Sequence, residues 1–217
     1  KVPEDKSKSH KFTSLTFNSK DCKPGSIFFA IKGNKLNGNK FINEAIKNGA
    51  KTIISNINFK GFKKNILYIN SKNPRSLLAI LSKKFFLKKP KNIIAVTGTN
   101  GKSSVADFYL QILNLNKKKV SSIGTLGVRS QLIDIKTKNT TLDPITLNRT
   151  LYNLYKKKVN NVILEASSHG LSQCRLDGHK FNIGIFTNLS RDHFDYHKNY
   201  NNYFNSKLIL FKKLLKK

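Results

Sequence analysis

Asn92-Ile-Ile-Ala-Val-Thr-Gly-Thr-Asn-Gly-Lys-Ser-Ser104 decides the fold. Asn92 to Thr97 is an apolar run of strand length that stops at a glycine-rich turn. A helical pattern follows from about Ser103 to Leu115. Strand, glycine turn and helix start in that order are the setting of a phosphate loop. Gly98 and Gly101 let backbone N–H groups turn inward around phosphate oxygens, and the helix start adds its dipole. Lys102 supplies positive charge for the β- and γ-phosphates, and the Ser103 hydroxyl suits Mg²⁺. The usual pattern, GxxxxGK followed by Ser or Thr, places its first glycine where this chain has Val96, so the loop is a variant with the glycine at 98. The candidate nucleotide-binding set is Gly98, Thr99, Asn100, Gly101, Lys102, Ser103 and Ser104. A phosphate loop specifies a nucleotide, not a reaction.

Outward from this turn, strands and helices alternate. Upstream, Ser26–Ile31, Thr52–Ser55 and Ile66–Ile69 have strand character. Lys40–Asn48 reads as a helix stopped by Gly49, and Pro74–Phe86 as a helix with proline in its first turn. Downstream, Val120–Ile123, Asn161–Ala166 and Asn182–Thr187 are predicted strands. Pro144–Lys157 is a predicted helix with Asp143 as N-cap, and a last helix runs from Tyr200 to about Lys213. The polar Leu87–Asn92 segment around Pro90 marks the expected domain boundary. The expected architecture is α/β: a small N-terminal α/β substrate-binding domain over residues 1–89, then a P-loop, mostly parallel three-layer α/β/α ATPase domain, incomplete, over 90–217. Ligands of such sheets sit beyond the carboxyl ends of the strands, where the motifs of the ATPase half fall.

The chain has 217 residues and a formal charge of +30 from 41 basic and 11 acidic side chains. Of the basic residues 36 are lysine and only 5 arginine, and they are scattered rather than striped, so a specific nucleic-acid partner is not expected. Lys, Asn and Ile, all with A/T-rich codons, supply 83 residues, which accounts for the charge without a ligand. No apolar run approaches the roughly 18–20 residues of a membrane span. Lys1–Lys11 lacks the apolar centre of a signal peptide. Two cysteines 152 positions apart form no disulfide framework, and a reducing cytoplasm is the simplest setting. With no methionine and an end inside a helical pattern, the chain is expected to be a piece of a longer protein.

Acids are scarce, yet five of the 11 lie between positions 140 and 197: Asp143, Glu165, Asp177, Asp192 and Asp195. Glu165 ends a buried strand and faces the crevice of the phosphate loop, where it suits Mg²⁺. Ala166-Ser-Ser-His-Gly-Leu-Ser-Gln-Cys-Arg175 follows directly and is dense in hydrogen-bonding groups. Thr187-Asn-Leu-Ser-Arg-Asp-His-Phe-Asp-Tyr-His197 follows the next strand with two aspartates and two histidines in six residues. A zinc site would need further ligands that the neighbourhood lacks, so a single histidine, His193, supporting Mg²⁺ is the better fit.

Together these stretches resemble the Mur ligases, in particular the branch acting on UDP-N-acetylmuramoyl-L-alanyl-D-glutamate, and the resemblance runs along nearly the whole chain. Leu15-Thr-Phe-Asn-Ser-Lys20 with Pro24-Gly-Ser-Ile-Phe-Phe-Ala-Ile-Lys-Gly33 resembles the uridine-binding opening of that family. Gly98–Ser104 resembles its ATP loop, Asn139-Thr-Thr-Leu-Asp-Pro144 its NTTPDP segment, and Glu165–Leu171 with Gln173 and Arg175 its ExSSHGLxQxR run. Thr187–His197 resembles TNLxRDHxDYH, and Tyr203 to Phe211 resembles YxxxKxxLF. The resemblance implies ATP-dependent amide formation in cytoplasmic peptidoglycan synthesis. The D-Glu carboxylate of the UDP-sugar dipeptide is phosphorylated, and a diamino acid, meso-diaminopimelate or L-lysine, attacks the acyl phosphate. The implied cofactors are ATP and Mg²⁺, the partners are small molecules, and a monomer is expected.

By motif match, Phe17, Ser19, Asn34, Lys35 and Leu36 hold the UDP end. Asn139, Thr140, Thr141, Ser167, Gln173 and Arg175 hold the muramoyl-peptide end, with the Arg175 fork suited to a carboxylate or phosphate. Ser103, Glu165 and His193 support Mg²⁺, joined by Lys207 if it is carbamylated as the matching family lysine is. Lys102, Lys207 and His193 are the implied catalytic set. The chain departs from the family at Asn18-Ser19-Lys20 for Asp-Ser-Arg, Asn37-Gly38-Asn39 for Asp-Gly-His, and Thr141-Leu142-Asp143 for Thr-Pro-Asp. Lys20 keeps the charge of the family arginine without its planar fork. The family's C-terminal domain has no counterpart in these residues, and the 217 residues alone are expected to be inactive as a ligase. Two other readings are a folylpolyglutamate-synthetase-like ligase and a basic P-loop nucleic-acid-binding protein. The first normally lacks the uridine-binding opening and the SSHGL run, and the second leaves positions 165–197 unexplained.

Overall fold

The computed structural model describes residues 11–33 and 36–216. It divides into two compact units, with the division between Leu78 and Ala79.

The first unit is built on β1 (Ser14–Thr16), β2 (Ser26–Phe29), α1 (Ile42–Lys47), β3 (Ala50–Ser55), β4 (Gly61–Lys63) and β5 (Ile66–Asn70). The sheet order is β1-β2-β3-β5-β4, parallel except for the β4–β5 hairpin. Phe28, Ala30, Ile42, Ala45, Ala50, Ile53 and Ile66 form its core. The predicted helix over 40–48 is shorter. The Asn37 side chain accepts from the Asn39 N–H and starts a 3₁₀ turn over Gly38–Phe41, so regular α-helix begins only at Ile42.

α2 (Pro74–Phe85) spans the division. The second unit continues with β6 (Asn92–Thr97), α3 (Lys102–Leu115), β7 (Val120–Gly124), β8 (Gly127–Ser130), β9 (Asp134–Ile135), α4 (Pro144–Lys156), β10 (Asn161–Glu165), α5 (Ser168–Ser172), β11 (Ile183–Phe186), α6 (Phe194–His197) and α7 (Tyr200–Ile209). A π-helical turn, Leu210–Leu214, extends α7. The sheet order is β11-β6-β10-β7-β8-β9. The first four strands in that order are parallel, and β8 and β9 add an antiparallel ribbon that hydrophobic periodicity did not anticipate.

Alternation along the central strands explains the layers. Ile93 and Ala95 of β6, with Val162 and Leu164 of β10, face one core with Leu147, Leu151 and Leu154 of α4. Ile94, Val96 and Ile163 face the other, with Ala106 of α3. A strand buried on both faces must read as a continuous apolar run, as 92–97 does. α4 starts where its sequence dictates: the Asp143 carboxylate accepts from the Ile145 and Thr146 N–H groups, and Pro144 occupies the first turn. β6, β7, β10 and β11 therefore all end on one side, which carries the site.

Candidate functional site

At those strand ends lies a cavity of about 240 Å³ within the second unit. Its floor is the turn from Gly98 to Ser104. Gly98 has φ +152°, and a Cβ there would overlap the Thr187 hydroxyl, so only glycine lets β6 leave the sheet beside β11. Gly101, at φ +82°, precedes α3 and offers no capping side chain, leaving the first helix amides available to a ligand. The turn is braced from outside. Thr99 N–H donates to Asn188 O (3.0 Å), Asn100 N–H to Asn188 Oδ1 (3.0 Å), and Thr187 Oγ1 to Asn100 O (2.6 Å).

Two lysines converge on this turn. Lys102 Nζ donates to Gly98 O at 3.0 Å and Thr99 O at 2.7 Å. Lys207 Nζ, from α7, donates to the same Gly98 O at 2.7 Å and lies 4.4 Å from the centre of the Tyr203 ring. Lys207 is 1 % exposed. Burial, then the neighbouring Lys102 charge, lowers its pKa to about 8, with Asp192 opposing. Burial also lowers that of Lys102, against the pull of Glu165 and Asp192. A pocket with two desolvated ammonium groups and open helix amides attracts an anion.

Opposite the turn stands Glu165, the last residue of β10 and 2 % exposed. Its carboxylate accepts from Thr125 N–H (3.0 Å) and Thr125 Oγ1 (3.1 Å). The approach is close enough that a Cβ on Gly124 would collide with the carboxylate. Thr140 Oγ1 lies 3.0 Å from Thr125 Oγ1. Behind Glu165, Thr141 Oγ1 donates to the Glu165 carbonyl (2.8 Å) and lies 3.0 Å from Ser167 Oγ, which caps α5 by accepting from Gly170 N–H. His193 forms the remaining wall. Its backbone is left-handed (φ 51°), and Asp192 holds it twice: Oδ1 accepts from its N–H (2.8 Å), and Oδ2 lies 3.3 Å from its Nε2. His169 packs between His193 and Tyr196, with ring centres 4.9 and 4.1 Å away, and burial lowers its pKa.

The cavity thus brings together Gly98 through Ser104, Thr140, Glu165, Ser167, His193 and Lys207. Asn139, Thr141, Gln173 and Arg175 do not line it. Arg175 turns inward: Nε and Nη2 donate to Gln173 Oε1 (3.2 and 2.8 Å) and Nη1 to Thr141 O. In the first unit Phe17 and Leu36 are exposed, whereas Ser19 is buried and donates to Glu44 Oε2 at 2.7 Å. Asn34 and Lys35 lie outside the described residues. Sequence reasoning missed Thr125, Ser168 and Tyr203 on the cavity wall. Thr125 follows the last residue of β7, so the strand-end rule alone could have found it.

Among the described residues no cluster of three or more His, Cys, Asp or Glu side chains suits a metal. One carboxylate and one serine hydroxyl beside a phosphate cradle nevertheless match Mg²⁺, which binds through one or two carboxylates and takes its other ligands from phosphates and water.

Residues 96–217 match the Mur ligase middle domain, and residues 11–86 match the Mur ligase family, catalytic domain. The UDP-N-acetylmuramoyl-L-alanyl-D-glutamate--2,6-diaminopimelate ligase of Rickettsia montanensis is 44 % identical over 93 % of this chain and 43 % of its own length. A solved structure of a ligase of the same name, 31 % identical, superimposes with a TM-score of 0.79 over 93 % of this chain and 41 % of the other. The MurF ligase of Thermotoga maritima in complex with ADP, 20 % identical, shares the fold with a TM-score of 0.61 over 95 % of this chain and 44 % of its own. The chain spans less than half the length of these relatives.

Proposed function

The chain belongs to the Mur ligase family, and we propose that it carries the UDP-sugar-binding part (1–89) and the ATP-binding part (90–217) of the ligase that joins a diamino acid to UDP-N-acetylmuramoyl-L-alanyl-D-glutamate. The observation that carries this reading is one cavity lined by the phosphate turn, the buried carboxylate of Glu165, His193 and Lys207. The names of the relatives favour 2,6-diaminopimelate as the amine. By its resemblance to the family, the enzyme is read as a cytoplasmic monomer; among the described residues no helix is long and apolar enough to cross a membrane.

A carboxylate is a poor electrophile, and ATP supplies the phosphoryl group that gives it a leaving group. The chain's own task is to let two anions meet. Lys102 and the α3 amides hold the β- and γ-phosphates, and the Lys102 charge offsets the repulsion between phosphate and the D-Glu carboxylate. Ser103 and Glu165 would hold Mg²⁺, which would add charge neutralisation when bound, and His193, fixed by Asp192, would support that site. Thr125 donates to both Glu165 oxygens and so fixes the carboxylate in place. Lys207, with its pKa near 8, reaches the neutral state an amine needs to take up CO₂. The carbamate that results converts a cation into an anion suited to the metal. Asn139, Thr140, Thr141, Ser167, Gln173 and Arg175 hold the muramoyl-peptide end, a role supported by the place of Thr140 and Ser167 on the cavity wall. Phe17, Ser19, Asn34, Lys35 and Leu36 form the UDP end in the first unit.

ATP turnover by the complete polypeptide, with UDP-N-acetylmuramoyl-L-alanyl-D-glutamate as stimulant, tests the reading. Stimulation by that dipeptide supports it. Stimulation by a folate or by nucleic acid instead overturns it.

A further inference from the structure

Among the described residues Tyr203 is the largest fully buried side chain, yet no part of the chemistry above uses it. It is 0 % exposed, and its hydroxyl lies 2.9 Å from Thr99 Oγ1 in the phosphate turn. Thr99 Oγ1 also accepts from Ser190 N–H (3.0 Å) and lies 3.3 Å from Ser190 O. A hydroxyl has one proton and two lone pairs. All three contacts are satisfied together only if Thr99 donates to Ser190 O and accepts from both Ser190 N–H and the Tyr203 hydroxyl. Tyr203 is therefore the donor. Lys207 lies four residues on, one helical turn away on the same face of α7. Its ammonium packs over the Tyr203 ring and donates to Gly98 O. α7 thus grips two successive residues of the turn, Thr99 through Tyr203 and Gly98 through Lys207.

We propose that Tyr203 is a positioning residue: its hydroxyl, through Thr99, fixes the phosphate turn to α7 and keeps Lys207 aligned with it. The catalytic meaning of this brace rests on the ligase reading, because a lysine converted to a carbamate keeps only one N–H and loses the positive charge that strengthens its bond to Gly98 O. The Tyr203–Thr99 bond is the side-chain tie between α7 and the turn that this conversion leaves unaltered.

The test is amide hydrogen exchange across the chain in wild type, Tyr203→Phe, Thr99→Val and Thr99→Ser, with ADP affinity measured alongside. Tyr203→Phe keeps the ring over Lys207 and removes only the donor. The Thr99 and Ser190 amides are expected to exchange about tenfold faster in it, the effect of one buried hydrogen bond, while the β10 amides do not change. Thr99→Ser retains the hydroxyl and should behave as wild type; Thr99→Val should not. The double variant Tyr203→Phe/Thr99→Val should exchange no faster than Thr99→Val alone. ADP binding should weaken five- to tenfold in Tyr203→Phe. Unchanged exchange in Tyr203→Phe, Thr99→Ser behaving like Thr99→Val, or additive effects in the double variant would overturn the brace, even with normal ADP binding. Faster exchange in Tyr203→Phe, in a chain whose wild type binds no ADP, would uphold the brace and remove the nucleotide reading instead.

Discussion

Lys207→Met should make the ligand-free protein more stable, although it deletes a residue of the proposed site. Lys207 is 1 % exposed and shares Gly98 O with Lys102. Its pKa falls from an ordinary 10.5 to about 8, chiefly through burial. At about 1.4 kcal/mol per unit, burying the proton costs at most about 3 kcal/mol at pH 7. Methionine is of similar length and removes that cost. It also loses a hydrogen bond worth about 1 kcal/mol. Gly98 O is not orphaned, because Lys102 still donates to it. The net gain should be about 1–2 kcal/mol. The sign with pH follows from linkage. Between pH 8 and 10.5 the unfolded lysine holds a proton that the folded one has lost, so wild-type stability rises with pH across that window. The variant has no such group, and most of its advantage should vanish by pH 10. Urea unfolding of both proteins at pH 7 and pH 10, followed by far-ultraviolet circular dichroism, measures this. The other 40 basic residues are common to both proteins and cancel in the difference. A variant less stable than wild type at pH 7, or one whose advantage persists at pH 10, would refute the reasoning.

Lys102→Ala should lower ATP turnover of the complete polypeptide by about 10²–10³-fold with an unchanged circular dichroism spectrum, because its charge matters most as phosphate transfers. Gly124→Ala pushes a Cβ into the Glu165 carboxylate at a residue with ordinary strand backbone. The Mg²⁺ concentration for half-maximal turnover should rise at least about tenfold while metal-free ADP affinity holds, the size of effect expected when a ligand's support is disturbed. Lys207→Ala should cripple turnover, with partial recovery on adding short-chain carboxylates that stand in for the carbamate; near-normal activity without them would remove the role given to Lys207. The charge of +30 should give weak retention on a heparin column that disappears by about 0.5 M salt; retention beyond that would argue for a specific polyanion site.

The parallel core was legible because it obeys a local rule. Strands buried on both faces are uninterrupted apolar runs, as β6 and β10 are; β11 is a short apolar run too, although it lies at the sheet edge and is only partly buried. Helix starts were legible where the side chain that caps them is in sequence next to them, as at Asp143 and Pro144. β8 and β9 were not legible: they are short, polar on one side, and fixed by pairing with β7 rather than by their own composition. The site divides in the same way. The phosphate turn is contiguous, so its residues could be named from their spacing. Thr125 and Tyr203 come from distant strand and helix ends, and their contacts span 40 and 104 positions of sequence. Arg175 shows what residue type alone leaves open: a guanidinium suited to an anion here donates to Gln173 and Thr141, partners that its position in the sequence does not announce.

The two holds of α7 on the turn also limit how this gene can change. A helix turns by about 100° per residue, so Tyr203 and Lys207 share a face only because three residues separate them. Point changes at Phe204 or Asn205 alter what projects elsewhere and leave that geometry intact. Gain or loss of a single codon between them would swing the lysine a quarter-turn or more around the helix and leave the Gly98 carbonyl out of its reach.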